Sequence, residues 1–247
     1  MRRLVQAHAL AAVVIAAGSV AANAQIDVEL ELVLAVDVSH SMDYQEQQLQ
    51  RDGYVAAFRD PEVRRAIALG PRGRIAVTYL EWSGTGTQHV VMPWTLIDSA
   101  AAAEGFAVRL ATQSIGRGHT TSISGALAFS VRHFEQSPFR GARRVIDISG
   151  DGPNNRGRPL ALARAEALAQ GIVINGLPIL NDRPQPWTLP TPIEFGLDRY
   201  YAEQVIGGPG SFTVVAEDFT AFREAVLTKL ILEIAGIEGA PARIAGR

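Results

Sequence analysis

Val28-Glu29-Leu30-Glu31-Leu32-Val33-Leu34-Ala35-Val36-Asp37-Val38-Ser39-His40-Ser41 is the stretch on which the reading of the fold turns. From Val28 to Val36 the run is almost continuously apolar, broken only by Glu29 and Glu31 near its start. Such a run reads as a strand buried on both faces, the kind found inside a parallel sheet. It ends abruptly in Asp37, and the residues that follow set a carboxylate and two hydroxyls at alternate positions. Extended backbone points alternate side chains the same way.

Working outward, Asp43 to about Leu69 has helical periodicity, with Leu49, Tyr54, Phe58 and Val63 as buried positions, and Pro61 must kink or divide it. Arg74–Trp82 and Gln88–Trp94 read as strands joined by the turn Ser83-Gly84-Thr85-Gly86, a hairpin. Helices are expected at Ala100–Leu110 and Ser124–Phe134, separated by the polar loop Thr112–Thr121. Then come a strand at Arg144–Ser149, a helix at Pro159–Gln170, strands at Ile172–Ile179 and Phe212–Val215, and a helix at Phe219–Ile234. This alternation predicts an α/β fold: doubly wound and Rossmann-like, with a mostly parallel central sheet, one antiparallel edge strand and helices on both faces. Ligands of such sheets bind beyond the carboxyl ends of the strands, where the strand order reverses. One domain is expected over residues 25–235, with 236–247 as a flexible C-terminal tail.

Composition removes several classes of function. The 247 residues are 47% hydrophobic and 19% charged, a globular balance, and the net charge of −2 comes without a basic stripe, so nucleic acid is not an expected partner. Lys229 is the only lysine and sits in an apolar helical stretch, which leaves no phosphate-cradling Gly-Lys loop and no Schiff-base site. The absence of cysteine excludes thiol nucleophiles, cysteine-ligated zinc, iron–sulfur clusters and disulfides. Residues 1–24 carry Arg2 and Arg3, an Ala/Val/Leu/Ile-rich stretch and Ala22-Asn23-Ala24, the pattern of a cleaved secretory signal. The expected product is therefore exported, periplasmic or secreted, with its charge taken to −4 by the loss of Arg2 and Arg3. No cysteine follows the cleavage site to take a lipid, and Lys229 and Glu233 interrupt the Leu227–Ile234 run, so no stable membrane anchor is expected after cleavage.

Three separated segments carry the chemistry. They are Asp37-Val38-Ser39-His40-Ser41, Thr120-Thr121-Ser122-Ile123-Ser124-Gly125-Ala126-Leu127 and Ser149-Gly150-Asp151-Gly152-Pro153-Asn154-Asn155. Singly, each reads as a helix cap or a plain turn. Together they deliver only oxygen donors, which suits a hard divalent cation, Mg²⁺ first, with Mn²⁺ or Ca²⁺ also fitting.

In these residues the sequence resembles the von Willebrand factor A family. The D-x-S-x-S element, a threonine five residues before Ala126-Leu127 and an aspartate in a strand-to-Asp-Gly turn follow the order of that family's metal-ion-dependent adhesion site, and the likeness spans residues 27–235. More closely, V-I-D-I-S-G-D-G-P-N-N at 145–155 and V-I-G-G-P-G-S-F at 205–212 resemble an uncharacterised family of exported bacterial proteins with this fold. The resemblance implies Ser39 and Ser41 as direct metal ligands and Thr121 as a direct or water-bridged one. Asp37 and Asp151 would then act mainly through water or outer hydrogen bonds. It also implies a metal shell completed by an acidic group of a protein partner.

Around this site, His40 and His119 flank the metal segments, and Asn154 and Asn155 stand on the same rim. The stretch Asn181–Tyr201, with four prolines, Trp187 and the Tyr200-Tyr201 pair, is expected as a loop beside the site that contacts the partner. The function expected is a non-enzymatic, metal-dependent protein-binding module. A metal-assisted hydrolase using Asp37 or Asp151 as general base is the alternative, although no G-x-S-x-G or H-E-x-x-H motif is present and no catalytic residue is assigned. A scaffold in an exported assembly with a vestigial metal site is the third reading.

Overall fold

The computed structural model describes residues 25–180, 196–236 and 242–244. The expected signal segment 1–24 and Trp187, with the rest of 181–195, lie outside the described residues. A five-stranded sheet runs in the order β3-β2-β1-β4-β5, built from β1 (Ile26–Asp37), β2 (Ile75–Trp82), β3 (Gln88–Ile97), β4 (Phe139–Gly150) and β5 (Val173–Pro178). All neighbours are parallel except β2 and β3, so the hairpin supplies the one antiparallel edge strand. The α/β, doubly wound architecture expected above is the one observed.

β1 lies at the centre, and its pleat divides the core. Leu30, Leu32 and Leu34 enter one layer with Tyr54, Phe58, Val63, Phe106, Phe222 and Leu230, from α1 (Tyr44–Arg59), α2 (Pro61–Leu69), α3 (Ala100–Ala111) and α7 (Phe222–Ala235). Val33 and Ala35 enter the other, with residues of α4 (Ile123–Phe134), α5 (Leu160–Ala169) and α6 (Leu197–Tyr200), the last continuing into a π-turn at Tyr201–Val205. A strand with apolar side chains on both faces can be stable only between two helical layers.

The Asp43–Leu69 helix divides at Asp60, as Pro61 requires. Asp43 and Glu46 form a reciprocal capping box at the start of α1, and Asp60 caps α2 with Pro61 in its first turn. The face of α1 differs from expectation. Leu49 is 44% exposed, whereas Gln47, Gln50 and Arg51 are buried. The polar face wins because it meets carbonyls: Gln47 donates to Val38 O and Gln50 to Asp37 O, each at 3.3 Å, where β1 leaves the sheet.

The strand expected at Phe212–Val215 forms as β6 (Val214–Ala216), which is joined to β5 only by single bridges, at Gly176–Thr213 and Ile179–Ala216. The segment 236–247, expected as a flexible tail, contributes β7 (Ala242–Ile244), which takes the open edge of β6 in parallel register. The edge offers backbone partners that no local sequence signal announces.

Beneath α7 lies a buried ionic cluster. Lys229 Nζ stands 2.7 Å from Asp147 Oδ1 and also pairs with Glu233. Glu233 Oε1 in turn accepts from Asn175 Nδ2 at 2.9 Å. Burial pushes the Asp147 carboxyl up to about 7, with Lys229 pulling it down and Glu233 pushing it further up. Tyr54 faces the same carboxyl from α1. The unfolded carboxyl ionises near 3.8, so the folded state holds the extra proton between these values, and this group's stabilisation is lost as pH rises towards 7. Thermal unfolding followed from about pH 4 to about pH 8 is expected to show the melting temperature falling with pH, and Asp147→Asn to flatten that slope.

Candidate metal centre

The chain leaves β1 towards β2 on one side, and β4 lies on the other, so the strand order reverses between β1 and β4. The carboxyl ends of these two strands carry Asp37 and Asp151. The third segment arrives from the loop before α4, where Ser122 caps the helix by accepting from Gly125 N at 3.1 Å. Capping by Ser122 leaves Thr121 just outside the helix, with its side chain free to face the strand ends.

The oxygens of four predicted ligands meet in one chain of contacts. Thr121 Oγ1 lies 3.4 Å from Ser39 Oγ, Ser39 Oγ 3.0 Å from Ser41 Oγ, and Ser41 Oγ donates to Asp151 Oδ1 at 2.5 Å. Asp37 stands behind them, fully buried, with Oδ1 accepting from Ser39 N at 2.8 Å. Its other oxygen, Oδ2, is buried without a hydrogen-bond partner among the described residues. Burial holds the Asp37 carboxyl well above the usual range, and the charge of Asp151 acts the same way, opposed by the hydrogen bonds with Ser39.

The loops are tied to one another. Asn155 Oδ1 accepts from Thr121 N at 3.0 Å while Asn155 N donates to Thr121 O at 2.9 Å; Asn154 Oδ1 accepts from Ser124 N at 2.9 Å. These two side chains, read above as rim contacts for a partner, brace the Asp151 loop against the threonine loop. Gly118 N donates to Val38 O at 3.0 Å and Ser122 N to Ser83 O at 2.7 Å, fixing the loop before α4 against the ends of β1 and β2. Farther back, the buried Arg51–Glu81 ion pair pins the same loop. Glu81 Oε2 accepts from Gly116 N at 2.7 Å, and Arg51 donates to Leu110 O and Gln113 O. The sequence reading missed this pair; a charged residue on the inward face of α1 and another inside an apolar strand were its signal. His40 and His119 lie side by side at the rim, ring centroids 5.5 Å apart, with His40 half-buried and His119 exposed.

Do these residues fit a metal ion? Among the described residues no three histidine, cysteine, aspartate or glutamate side chains gather, so a cation here depends on the hydroxyls. Three hydroxyls and two carboxylates, one with an orphaned buried oxygen, make a hard, all-oxygen donor set. The set fits a divalent cation.

The sheet order, the two helical layers and this site define the von Willebrand factor A fold. The likeness extends to a von Willebrand factor type A structure from Catenulispora acidiphila, at 21% identity over 84% of this chain and 43% of that one, TM-score 0.52. It extends also to proximal thread matrix protein 1 of the mussel byssus with a zinc-occupied MIDAS motif, at 14% identity over 85% of this chain and 49% of that one, TM-score 0.60. A third is the pilus adhesin SpaC of Lactobacillus rhamnosus GG, at 14% identity over 85% and 31% of the two chains, TM-score 0.56. At these identities the likeness is one of fold, and this chain spans about half the length of the first-matching structures, or less. The chain belongs to the family described as Protein of unknown function (DUF1194), which it matches over residues 27–238. No curated protein matches it.

Gly150 provides a test of the packing behind the site. A Cβ there would stand 2.9 Å from Asp37 Oδ2, whereas one on Gly152 would meet nothing nearer than Thr121 Oγ1 at 3.9 Å. Gly150→Ala is expected to destabilise the fold by about 1–3 kcal/mol in denaturant unfolding, and Gly152→Ala to cost much less.

Proposed function

We propose that this protein is a non-enzymatic, metal-dependent protein-binding module that acts outside the cytoplasm. The observation that carries the reading is the meeting of Ser39, Ser41, Thr121 and Asp151 oxygens in one chain of contacts, with the buried Asp37 carboxylate behind it. Two carboxylates in a largely water-excluded cluster repel each other, and a divalent cation is the counter-charge that resolves this. Ser39, Ser41 and Thr121 would hold the ion, with Asp37 and Asp151 orienting its water ligands; Mg²⁺ is the first choice, Mn²⁺ and Ca²⁺ the others. Bound there, the ion supplies an electrophilic position whose charge three neutral hydroxyls leave incompletely cancelled, and this attracts a carboxylate from a partner protein. The zinc-occupied motif of the mussel protein supports a divalent ion on this fold. Asn154 and Asn155 keep the two ligand loops in register, and His40 and His119 form part of the rim that the partner meets.

The proposed location rests on the N-terminal sequence pattern, and no helix among the described residues is long and apolar enough to cross a membrane. Calorimetric titration of Mg²⁺, Mn²⁺ and Ca²⁺ into the purified protein is expected to show saturable binding. Asp151→Ala and the double change Ser39→Ala/Ser41→Ala should abolish it while leaving the circular dichroism spectrum intact. A folded wild type that binds none of the three ions would overturn the reading.

A further inference from the structure

At the oxygen cluster two buried polar atoms lack partners among the described residues: Asp37 Oδ2 and the hydroxyl of Tyr201. They converge. The position a Cβ would take on Gly150 is 2.9 Å from Asp37 Oδ2 and 3.0 Å from the Tyr201 hydroxyl. A second glycine seats the ring, since a Cβ on Gly176 would stand 2.8 Å from Tyr201 Cδ1. Gly150 on β4 and Gly176 on the adjacent β5 thus leave open the space that admits the ring and brings its hydroxyl and the Asp37 carboxyl to the same position beside Gly150. Apolar packing alone accounts for a buried ring, but it leaves the hydroxyl costing desolvation without return. A fully buried tyrosine beside two carboxylates keeps its proton and acts as a donor.

We infer that Tyr201 is a positioning residue of the metal centre, its hydroxyl donating to Asp37 Oδ2 through one water. This rests on the metal-binding reading above. With Oδ1 held by Ser39 N and Oδ2 by Tyr201, the carboxylate is clamped at both oxygens, which fixes its orientation towards the ligand hydroxyls. The neighbouring Tyr200 acts on the other loop, its hydroxyl accepting from Asn154 N at 3.1 Å. The Tyr200-Tyr201 pair therefore ties the end of the 181–201 segment to both the β1 and β4 sides of the site.

The test is Tyr201→Phe, which keeps the ring and removes the hydroxyl, read out in two ways. Titrated with Mg²⁺ and with Mn²⁺, the variant should bind about ten-fold more weakly than wild type, the size of effect that outer hydrogen-bond partners have at metal sites. In EDTA, melting temperatures of wild type, Tyr201→Phe, Asp37→Asn and the double variant form a cycle. The hydroxyl's removal should cost a few degrees when Asp37 is present and nothing when it is Asn. Unchanged metal affinity, or melting shifts that simply add, would overturn the inference. If the wild type binds neither ion, the metal reading falls, and the cycle alone decides whether Tyr201 holds Asp37.

Discussion

A carboxylate withdrawn from water costs several kcal/mol unless a charge or a full set of donors replaces the solvent, and Asp37 is withdrawn completely, at the end of the central strand. The contrast with two other buried charge sites is instructive. Arg51 faces Glu81, and Lys229 sits between Asp147 and Glu233, so each carries its counter-charge within the fold. Asp37 has a backbone donor at one oxygen, a second carboxylate nearby and no paired cation among the described residues. The proposed divalent cation would supply the counter-charge that this site lacks.

The scaffold supplies what such a site needs, which is rigidity at the strand ends. β1 hydrogen-bonds to parallel neighbours on both sides, and the reversal of strand order between β1 and β4 opens the crevice where their carboxyl ends diverge. The loops themselves are irregular, so their geometry depends on side-chain ties. Gln47 and Gln50 take up the last carbonyls of β1, the Arg51–Glu81 pair anchors the loop that leads to Thr121, and Asn154 with Asn155 couples that loop to Asp151. Under the proposed function, ligands set by such ties would be held in place before an ion arrived, which would lower the ordering cost of binding.

Much of this was legible in the residues. The doubly buried character of Val28–Val36, the alternation of apolar strands and amphipathic helices, the hairpin at Ser83–Gly86 and the break at Pro61 each correspond to an observed feature. The five oxygen-bearing residues proposed as a metal site do lie together. What escaped were features that depend on partners distant in sequence. Leu49 was expected inside because apolar residues usually are, yet the end of β1 needed amide donors, and Gln47 and Gln50 turned inward instead. Asn154 and Asn155 read as rim residues, and their hydrogen bonds to Ser124 and Thr121 show in addition that they bridge two loops. Tyr201 was expected, with Tyr200, in a loop that contacts a partner, yet it is fully buried where α6 ends, because its place depends on the two glycines against which it lies.

The sequence by itself determined the local conformations: which segments are strands, where helices begin, and that Asp37, Ser39 and Ser41 fall together at the end of β1, although the chain there bends into a turn closed by Met42 N donating to Ser39 O rather than staying extended. These follow from backbone sterics and hydrophobic periodicity, which act over a few residues. Only the tertiary structure decided that Thr121 and Asp151 arrive beside them, that Gly150 leaves Asp37 and the Tyr201 hydroxyl facing a common space, and that two asparagines lock the loops together. Such contacts join residues separated by tens of positions. They are set by how the whole sheet packs between its two helical layers, and no periodicity within a segment encodes that.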